Sequence, residues 1–232
     1  MQYLGGKHHV SKRILDAIKD TGVPRDNYWE PFVGGANSFC RIAPYFWSAV
    51  GSDLCPDLIL MWQALLDGWV PPDIDEDQYR MLKDAGPSAL RAFAGYGCSF
   101  GGKWFAGYAR HRTDAKHPYS QPETTRKVLL AQAATLLTHP DITICEMDYS
   151  EHSPMPGDVV YCDPPYPGTR FRFHFDFDLF WSTMERWRRI GYVFVSSYDC
   201  PVEYDRYWPL TKDLTMTRSA GAQADGLYFL GW

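Results

Sequence analysis

No apolar run in this chain of 232 residues approaches the ~20 residues that a membrane-spanning helix needs. The N-terminus also lacks a charged stretch followed by an apolar one, the mark of an export signal. A soluble, cytoplasmic protein without a membrane partner is expected. Cys-x-x-Cys pairs are missing too. Six cysteines (Cys40, Cys55, Cys98, Cys145, Cys162, Cys200) are scattered, with no histidine nearby at zinc spacing. Free thiols in a reducing compartment are therefore expected, with neither a metal nor a disulfide framework. A positive net charge is lacking: 23 Lys and Arg stand against 28 Asp and Glu, giving −5. That balance argues against a protein that binds nucleic acid with its whole surface. Internal repeats and low-complexity linkers are absent as well, which excludes solenoids and tethered modules. What is there is ordinary for a globular protein: 45% hydrophobic and 22% charged residues, in a chain long enough for one α/β domain with an inserted lobe.

Charge is unevenly spread. Between Gly97 and Lys127 stand Lys103, Arg110, Arg112, Lys116, Arg126 and Lys127, opposed only by Asp114 and Glu123. A local basic patch is all that contact with phosphates requires.

Periodicity alternates along the chain. Val10, Ile14, Leu15 and Ile18 have helical spacing, closed by Thr21-Gly22. Tyr28 to Phe32 is a short apolar run that breaks into Val33-Gly34-Gly35, and Asn37-Ser38 then offers caps for a helix through Ala43. A second strand is predicted over Trp47 to Gly51 and a helix through Ile59, Trp62 and Leu66. From about Asp73 to His139 the pattern is helical around a Gly- and aromatic-rich loop. Further strands are predicted at Ile142–Cys145, Val159–Cys162 and Tyr192–Val195, then a closing pair at Leu210–Thr217 and Leu227–Trp232. Strands alternating with helices imply an α/β fold with a mostly parallel sheet and a C-terminal antiparallel hairpin. Ligands bind such sheets beyond the carboxyl ends of their strands.

Those strand ends carry the chemistry. A Gly-rich turn after the first strand and Asp53 after the second suit a nucleoside ligand, because glycine lets the backbone approach and a carboxylate accepts ribose hydroxyls. A generic turn with a solvated Asp fits this weak signal equally well. Asp163-Pro164-Pro165-Tyr166 is far more specific, arising by chance in a chain of this length roughly once in a thousand sequences. Its prolines fix two φ angles and remove two donors, so that the Asp163 carboxylate and the Pro164 carbonyl present rigid acceptors. An exocyclic amine has two hydrogens for two such acceptors, and Tyr166 offers a face for a base held outside the duplex.

Together the blocks Tyr3-Leu4-Gly5-Gly6-Lys7, Glu30-Pro31-Phe32-Val33-Gly34-Gly35, Asp53, Asp148 and Asp163-Pro164-Pro165-Tyr166 resemble the Dam-type DNA N6-adenine methyltransferases, in that family's order. The resemblance implies a Rossmann-like methyltransferase sheet in residues 1–55 and 138–232, with residues 56–137 as an inserted, helical target-recognition region. It implies S-adenosyl-L-methionine as cofactor and double-stranded DNA as partner. Tyr3 and Phe32 would pack on the cofactor's adenine. Lys7 would lie near the methionine carboxylate or the target phosphate. Gly34 and Gly35 would turn the backbone under the cofactor, Asp53 would take the ribose hydroxyls, and Asp148 would contact the adenine. One departure stands out: the family spaces two glycines by one residue after Glu-Pro-Phe, whereas here they are adjacent and Ala36 follows. A left-handed backbone at Ala36 would be strained.

The implied chemistry is in-line methyl transfer to an adenine amine whose N–H groups bond Asp163 and the Pro164 carbonyl, without metal or covalent intermediate. For DNA contact, the loop from Gly97 to Arg112 interleaves glycines and aromatics with Lys103, Arg110 and Arg112; a core-packing loop with a basic edge fits as well. Arg170 to Phe177 alternates strictly, placing Arg170 and Arg172 opposite four phenylalanines, as either an edge strand or a DNA-facing flap.

Overall fold

A computed structural model describes residues 1–3, 5–110, 120–152, 154–168, 173–210 and 225–231. Among them, seven strands form one sheet: β1 (Asn27–Glu30), β2 (Ser48–Asp53), β3 (Ile142–Glu146), β4 (Val159–Cys162), β5 (Tyr192–Ser197), β6 (Arg206–Pro209) and β7 (Gly226–Phe229). The order is β3-β2-β1-β4-β5-β7-β6. Strands β1 to β5 pair in parallel, and β7 and β6 close the edge antiparallel. This is the expected mostly parallel α/β sheet with a C-terminal antiparallel hairpin.

Helices cover both faces: α1 (Ser11–Asp20), α2 (Phe39–Ile42), α3 (Pro56–Leu66), α4 (Glu76–Lys83), α5 (Ala89–Ala92), α6 (Gln121–Leu137) and α7 (Phe177–Trp187). The central strand β4 is buried throughout, as a parallel strand covered on both sides must be. Its side chains alternate between two cores. Val159 and Tyr161 join one with Ile14, Phe39, Trp62 and Leu129 from α1, α2, α3 and α6. Val160 and Cys162 join the other with Phe180, Met184 and Trp187 from α7. Thus α3 and α6, at the two ends of the 56–137 region, share the core of the sheet. Between them, the buried Asp57 pairs with Arg91 at 3.2 Å, tying α3 to α5.

Local chemistry sets the helix starts. Asp75 and Gln78 form a reciprocal capping box on α4, and Asp176 Oδ1 accepts the Leu179 N–H at the start of α7. Pro56 opens α3, where a missing N–H costs nothing. One expectation needs correction. Ser38 precedes α2 without a side-chain cap, because its hydroxyl donates to Glu30 instead. The strand expected over Leu210 to Thr217 lies, beyond Leu210, outside the described residues; the strand that pairs with β7 is β6, Arg206–Pro209.

Strand order reverses between β1 and β4. Their neighbours diverge to opposite sides, opening a crevice beyond their carboxyl ends. The segments emerging there are Pro31–Gly35 and Asp163–Tyr166.

Candidate active site

A cavity of about 1300 Å³ occupies this crevice. Tyr3, Lys7, Phe32, Gly34, Gly35, Asp53, Asp148, Asp163, Pro164, Pro165 and Tyr166, the residues singled out for cofactor and catalysis, all line it. A pocket for one small ligand measures about 300–1,000 Å³, so this one has room for two ligands side by side.

At the end of β4 a half-buried charge cluster holds the Asp-Pro-Pro-Tyr turn. Lys7 Nζ lies 2.7 Å from Asp163 Oδ1 and 3.6 Å from Asp225 Oδ2. The same ammonium sits over the Tyr166 ring, 4.7 Å from its centroid. Tyr166 in turn donates its hydroxyl to Asp225 Oδ1 at 2.6 Å, and the Tyr198 ring meets it edge-on at 4.5 Å. Burial works against the charge on Lys7, but Asp163 and Asp225 outweigh it, and the ammonium is held above its ordinary pKa. Burial raises the pKa of Asp163; Lys7 opposes that rise and Asp225 adds to it. Where the resemblance put Lys7 beside a methionine carboxylate or a phosphate, its nitrogen here faces the Asp163 carboxyl group.

Beyond β1, the turn is built around Tyr3. A Cβ at Gly34 or Gly35 would run into the Tyr3 side chain, so both glycines are needed for that side chain to lie against the backbone. Gly34 has φ 46° and Ala36 φ 50°, so the left-handed position anticipated after the glycine pair does fall on alanine. The turn is tied down by Ala36 N–H donating to the Val33 carbonyl at 2.7 Å. Asp53, at the end of β2, accepts the Gly34 N–H through Oδ2 at 3.0 Å and the Cys55 N–H through Oδ1 at 2.9 Å. Burial pushes its pKa up to about 6 against these bonds. Phe32 packs against Tyr149, Phe175 and Phe180, with centroids 5.3 to 5.9 Å apart. Asp148 caps the short turn Tyr149–Glu151, accepting the Ser150 N–H at 2.8 Å.

Glu30 of the same block is fully buried. Tyr28 donates to its Oε2 at 2.6 Å, Ser38 to its Oε1, and burial pushes its pKa up to about 8. It binds β1 to the segment entering α2 and does not line the cavity.

The cationic candidates for DNA separate. Lys103 is exposed at the rim of the cavity. Arg110 lies away from it and forms a two-pronged ion pair with Glu76, at 2.8 and 2.9 Å. Arg112, Arg170 and Arg172 lie outside the described residues. Trp104, Phe105 and Tyr108 are packed into the loop, against Tyr96 and Tyr79. Phe100 is its exposed aromatic residue, 70% accessible. Among the described residues, no helix is long and apolar enough to cross a membrane, and no group of three or more His, Cys, Asp or Glu is arranged to hold a metal ion.

Asp225 went unnoticed in the sequence. It precedes β7 outside any motif and reaches the site only through the sheet order, which sets β7 two strands from β4.

A search of curated protein sequences gave no match. Solved structures similar to this chain include a protein from Escherichia coli, at 9% identity and a TM-score of 0.43, covering 96% of this chain and 85% of that one. Another is an RNA methyltransferase from Salinibacter ruber in complex with S-adenosyl-L-homocysteine, at 12% identity and a TM-score of 0.42, covering 95% of this chain and 92% of that one. In sequence, the stretch from Tyr3 through the Glu30–Gly35 turn and Asp53 is what finds a family: residues 3–87 match that of the D12 class N6 adenine-specific DNA methyltransferases, the resemblance that the motifs carry.

Proposed function

We propose that this protein transfers a methyl group from S-adenosyl-L-methionine to the exocyclic N6 amine of an adenine in double-stranded DNA, with the base flipped into the cavity. The observation that carries the reading is the convergence of Asp163 to Tyr166 with Tyr3, Phe32, Gly34 and Asp53 on one cavity at the strand-order reversal. The residue types fit the cofactor. Each Asp53 oxygen takes one backbone N–H and, with two lone pairs, has acceptor capacity left for a ribose hydroxyl. Phe32 and Tyr3 offer aromatic faces along the same wall. The cavity volume suits a cofactor and a nucleoside together. The cofactor supplies a methyl group already activated on a sulfonium.

The chain's own residues supply orientation and electrostatics. An exocyclic amine is a poor nucleophile because its lone pair is delocalised into the ring. Hydrogen bonds from its two N–H groups to the Asp163 carboxylate and the Pro164 carbonyl localise that pair and stabilise the positive charge that grows on nitrogen. Lys7 favours the carboxylate form of Asp163 against burial and fixes it through Oδ1. Pro164 and Pro165 remove two backbone donors from the turn, leaving its carbonyls to accept. Tyr166 stacks on the base, and a purine gains more from that contact than a pyrimidine.

The test is mass spectrometry of nucleosides from duplex DNA incubated with the protein and methyl-labelled cofactor. Label in N6-methyladenine is the expected result. Label only in N4-methylcytosine, RNA or protein overturns the adenine assignment.

A further inference from the structure

Resting on the reading of the Asp163–Pro164 pair as the amine acceptor, we propose that Asp225 is a positioning residue for methyl transfer: it holds Tyr166 by the hydroxyl and shares Lys7 with Asp163. Four side chains form a closed ring of contacts. Asp225 Oδ1 accepts the Tyr166 hydroxyl, Asp225 Oδ2 faces Lys7 Nζ, Lys7 pairs with Asp163, and Lys7 also lies over the Tyr166 ring. Tyr166 and Asp163 belong to one four-residue turn whose two prolines fix its backbone. Tyrosine χ1 and χ2 are not fixed by that backbone. The bond to Asp225 restrains them, together with Tyr198 and Lys7 against the ring, so the ring keeps the plane on which a base must stack while Asp163 keeps the plane in which it must accept.

Asp225 directly precedes β7, whereas Lys7 precedes α1 and the turn follows β4. The clamp therefore ties three distant segments together at the point of chemistry. Among the described residues, a single cation, Lys7, faces both carboxyl groups, and Asp225 adds negative charge of the sign that compensates the charge growing on the amine. Among the described residues, the titratable neighbours of Asp163 are Lys7, Asp225 and Tyr166, with Tyr161 and Cys162 from β4 and Glu30 from β1.

Two substitutions separate the hydrogen bond from the charge. Asp225→Asn keeps an acceptor for Tyr166 and removes the negative charge; Asp225→Ala removes both. Rates on duplex DNA are to be measured across pH with the full chain, alongside cofactor affinity by calorimetry. Asp225→Ala is expected to lower kcat about tenfold or more at every pH, with cofactor affinity and KM for DNA held within about twofold, because only placement of the reacting groups is lost. Asp225→Asn is expected to recover kcat to within about threefold of wild type near pH 8, and to move the acid limb of its pH profile down by about half a unit or more, since a like charge beside Asp163 is gone. Combining Asp225→Ala with Tyr166→Phe is expected to cost no more than the worse single change.

Wild-type kcat in Asp225→Ala overturns the proposal. A loss of cofactor affinity equal to the loss of rate also overturns it, making Asp225 a cofactor ligand. An Asp225→Asn enzyme as slow as Asp225→Ala, with an unmoved acid limb, reduces it to a structural part. A wild-type protein that methylates no nucleobase fails earlier, at the reading of the site, and the proposal falls with it.

Discussion

Lys7 and Asp53 are the residues whose surroundings say most about conditions for activity. Among the described residues, Lys7 is the single cation placed against both Asp163 and Asp225. Replacing it with Met leaves two half-buried carboxyl groups without their shared counter-charge, and like charges so placed disfavour each other's ionised form. Asp163 is then expected to keep its proton to higher pH and to accept less well from the amine. Lys7→Met is expected to lower kcat about 100-fold at pH 7, with the acid limb of the pH profile moved upward. A profile shaped like that of the wild type would separate Lys7 from the ionisation of Asp163. Removing the acceptor itself, in Asp163→Ala, is expected to cost about 100-fold or more in rate and to leave cofactor affinity within a few-fold, since the lost contact strengthens only in the transition state. Asp53 acts one step earlier. Its pKa is about 6 before a ligand arrives, and only the carboxylate form offers all its lone pairs to ribose hydroxyls. Cofactor affinity is expected to fall as pH drops through 6, with Asp53→Asn weaker at neutral pH and flat across that range. Calorimetry between pH 5 and 8 reads both, and a wild-type affinity independent of pH would remove Asp53 from the site.

At the scale of elements, the turn joining β1 to α2 holds two costs that the fold absorbs. Ala36 has a left-handed backbone and is fully buried. That conformation costs about 1–2 kcal/mol in an L-residue. Glycine relieves it but loses about 0.8 kcal/mol of buried methyl and about 0.4–1 kcal/mol through the freer unfolded chain. Ala36→Gly is thus expected to be near neutral, within about 1 kcal/mol, while the larger, β-branched Val adds strain and overpacking and loses about 2–4 kcal/mol. Equal stability of Ala36→Val and wild type in urea denaturation would contradict the turn geometry. Glu30 is the second cost. Its folded pKa, about 8, lies above the value of 4.5 for a free glutamate, so the folded state keeps a proton that the unfolded state has shed. Stability from this group is full below pH 4.5 and is lost as pH rises towards 8. Glu30→Gln, which cannot ionise, is expected to flatten that slope.

How far these elements were legible follows from their chemistry. Val159 to Cys162 stood out because a strand buried on both faces is apolar at every position, and the carboxyl ends of the parallel strands gave about half of the cavity wall. Ala36 was legible as a departure because positive φ has a known preference for glycine. What stayed hidden depends on distance in the chain: the pairing of Lys7 with Asp163, the diversion of Ser38 to Glu30, and above all Asp225. No local pattern announces a contact made through a crossing of the sheet.

Over the whole molecule, net charge of −5 must be reconciled with the polyanionic partner proposed for it. Attraction to DNA then has to come from a local field, because phosphate contacts act within about a Debye length of 10 Å or less at working salt. Lys103 is exposed on the wall of the cavity, where phosphates flanking a flipped base would pass. Arg110 is held by Glu76 in an exposed pair. Such a pair is readily exchanged for another anion, since water and salt screen it. Glu76 therefore competes with phosphate for Arg110. Lys103→Ala is expected to weaken binding to duplexes of any sequence and to reduce the slope of log affinity against log salt by about one unit, the signature of a single lost phosphate contact. Glu76→Gln is expected to act in the opposite sense, freeing Arg110 and tightening binding most at low salt, and Arg110→Ala should abolish that gain. Fluorescence anisotropy with a labelled duplex at several salt concentrations measures all three. Unchanged slopes in both Lys103→Ala and Arg110→Ala would place the DNA on another face of the molecule, while a gain in Glu76→Gln that survives Arg110→Ala would mean that Glu76 repels phosphate directly.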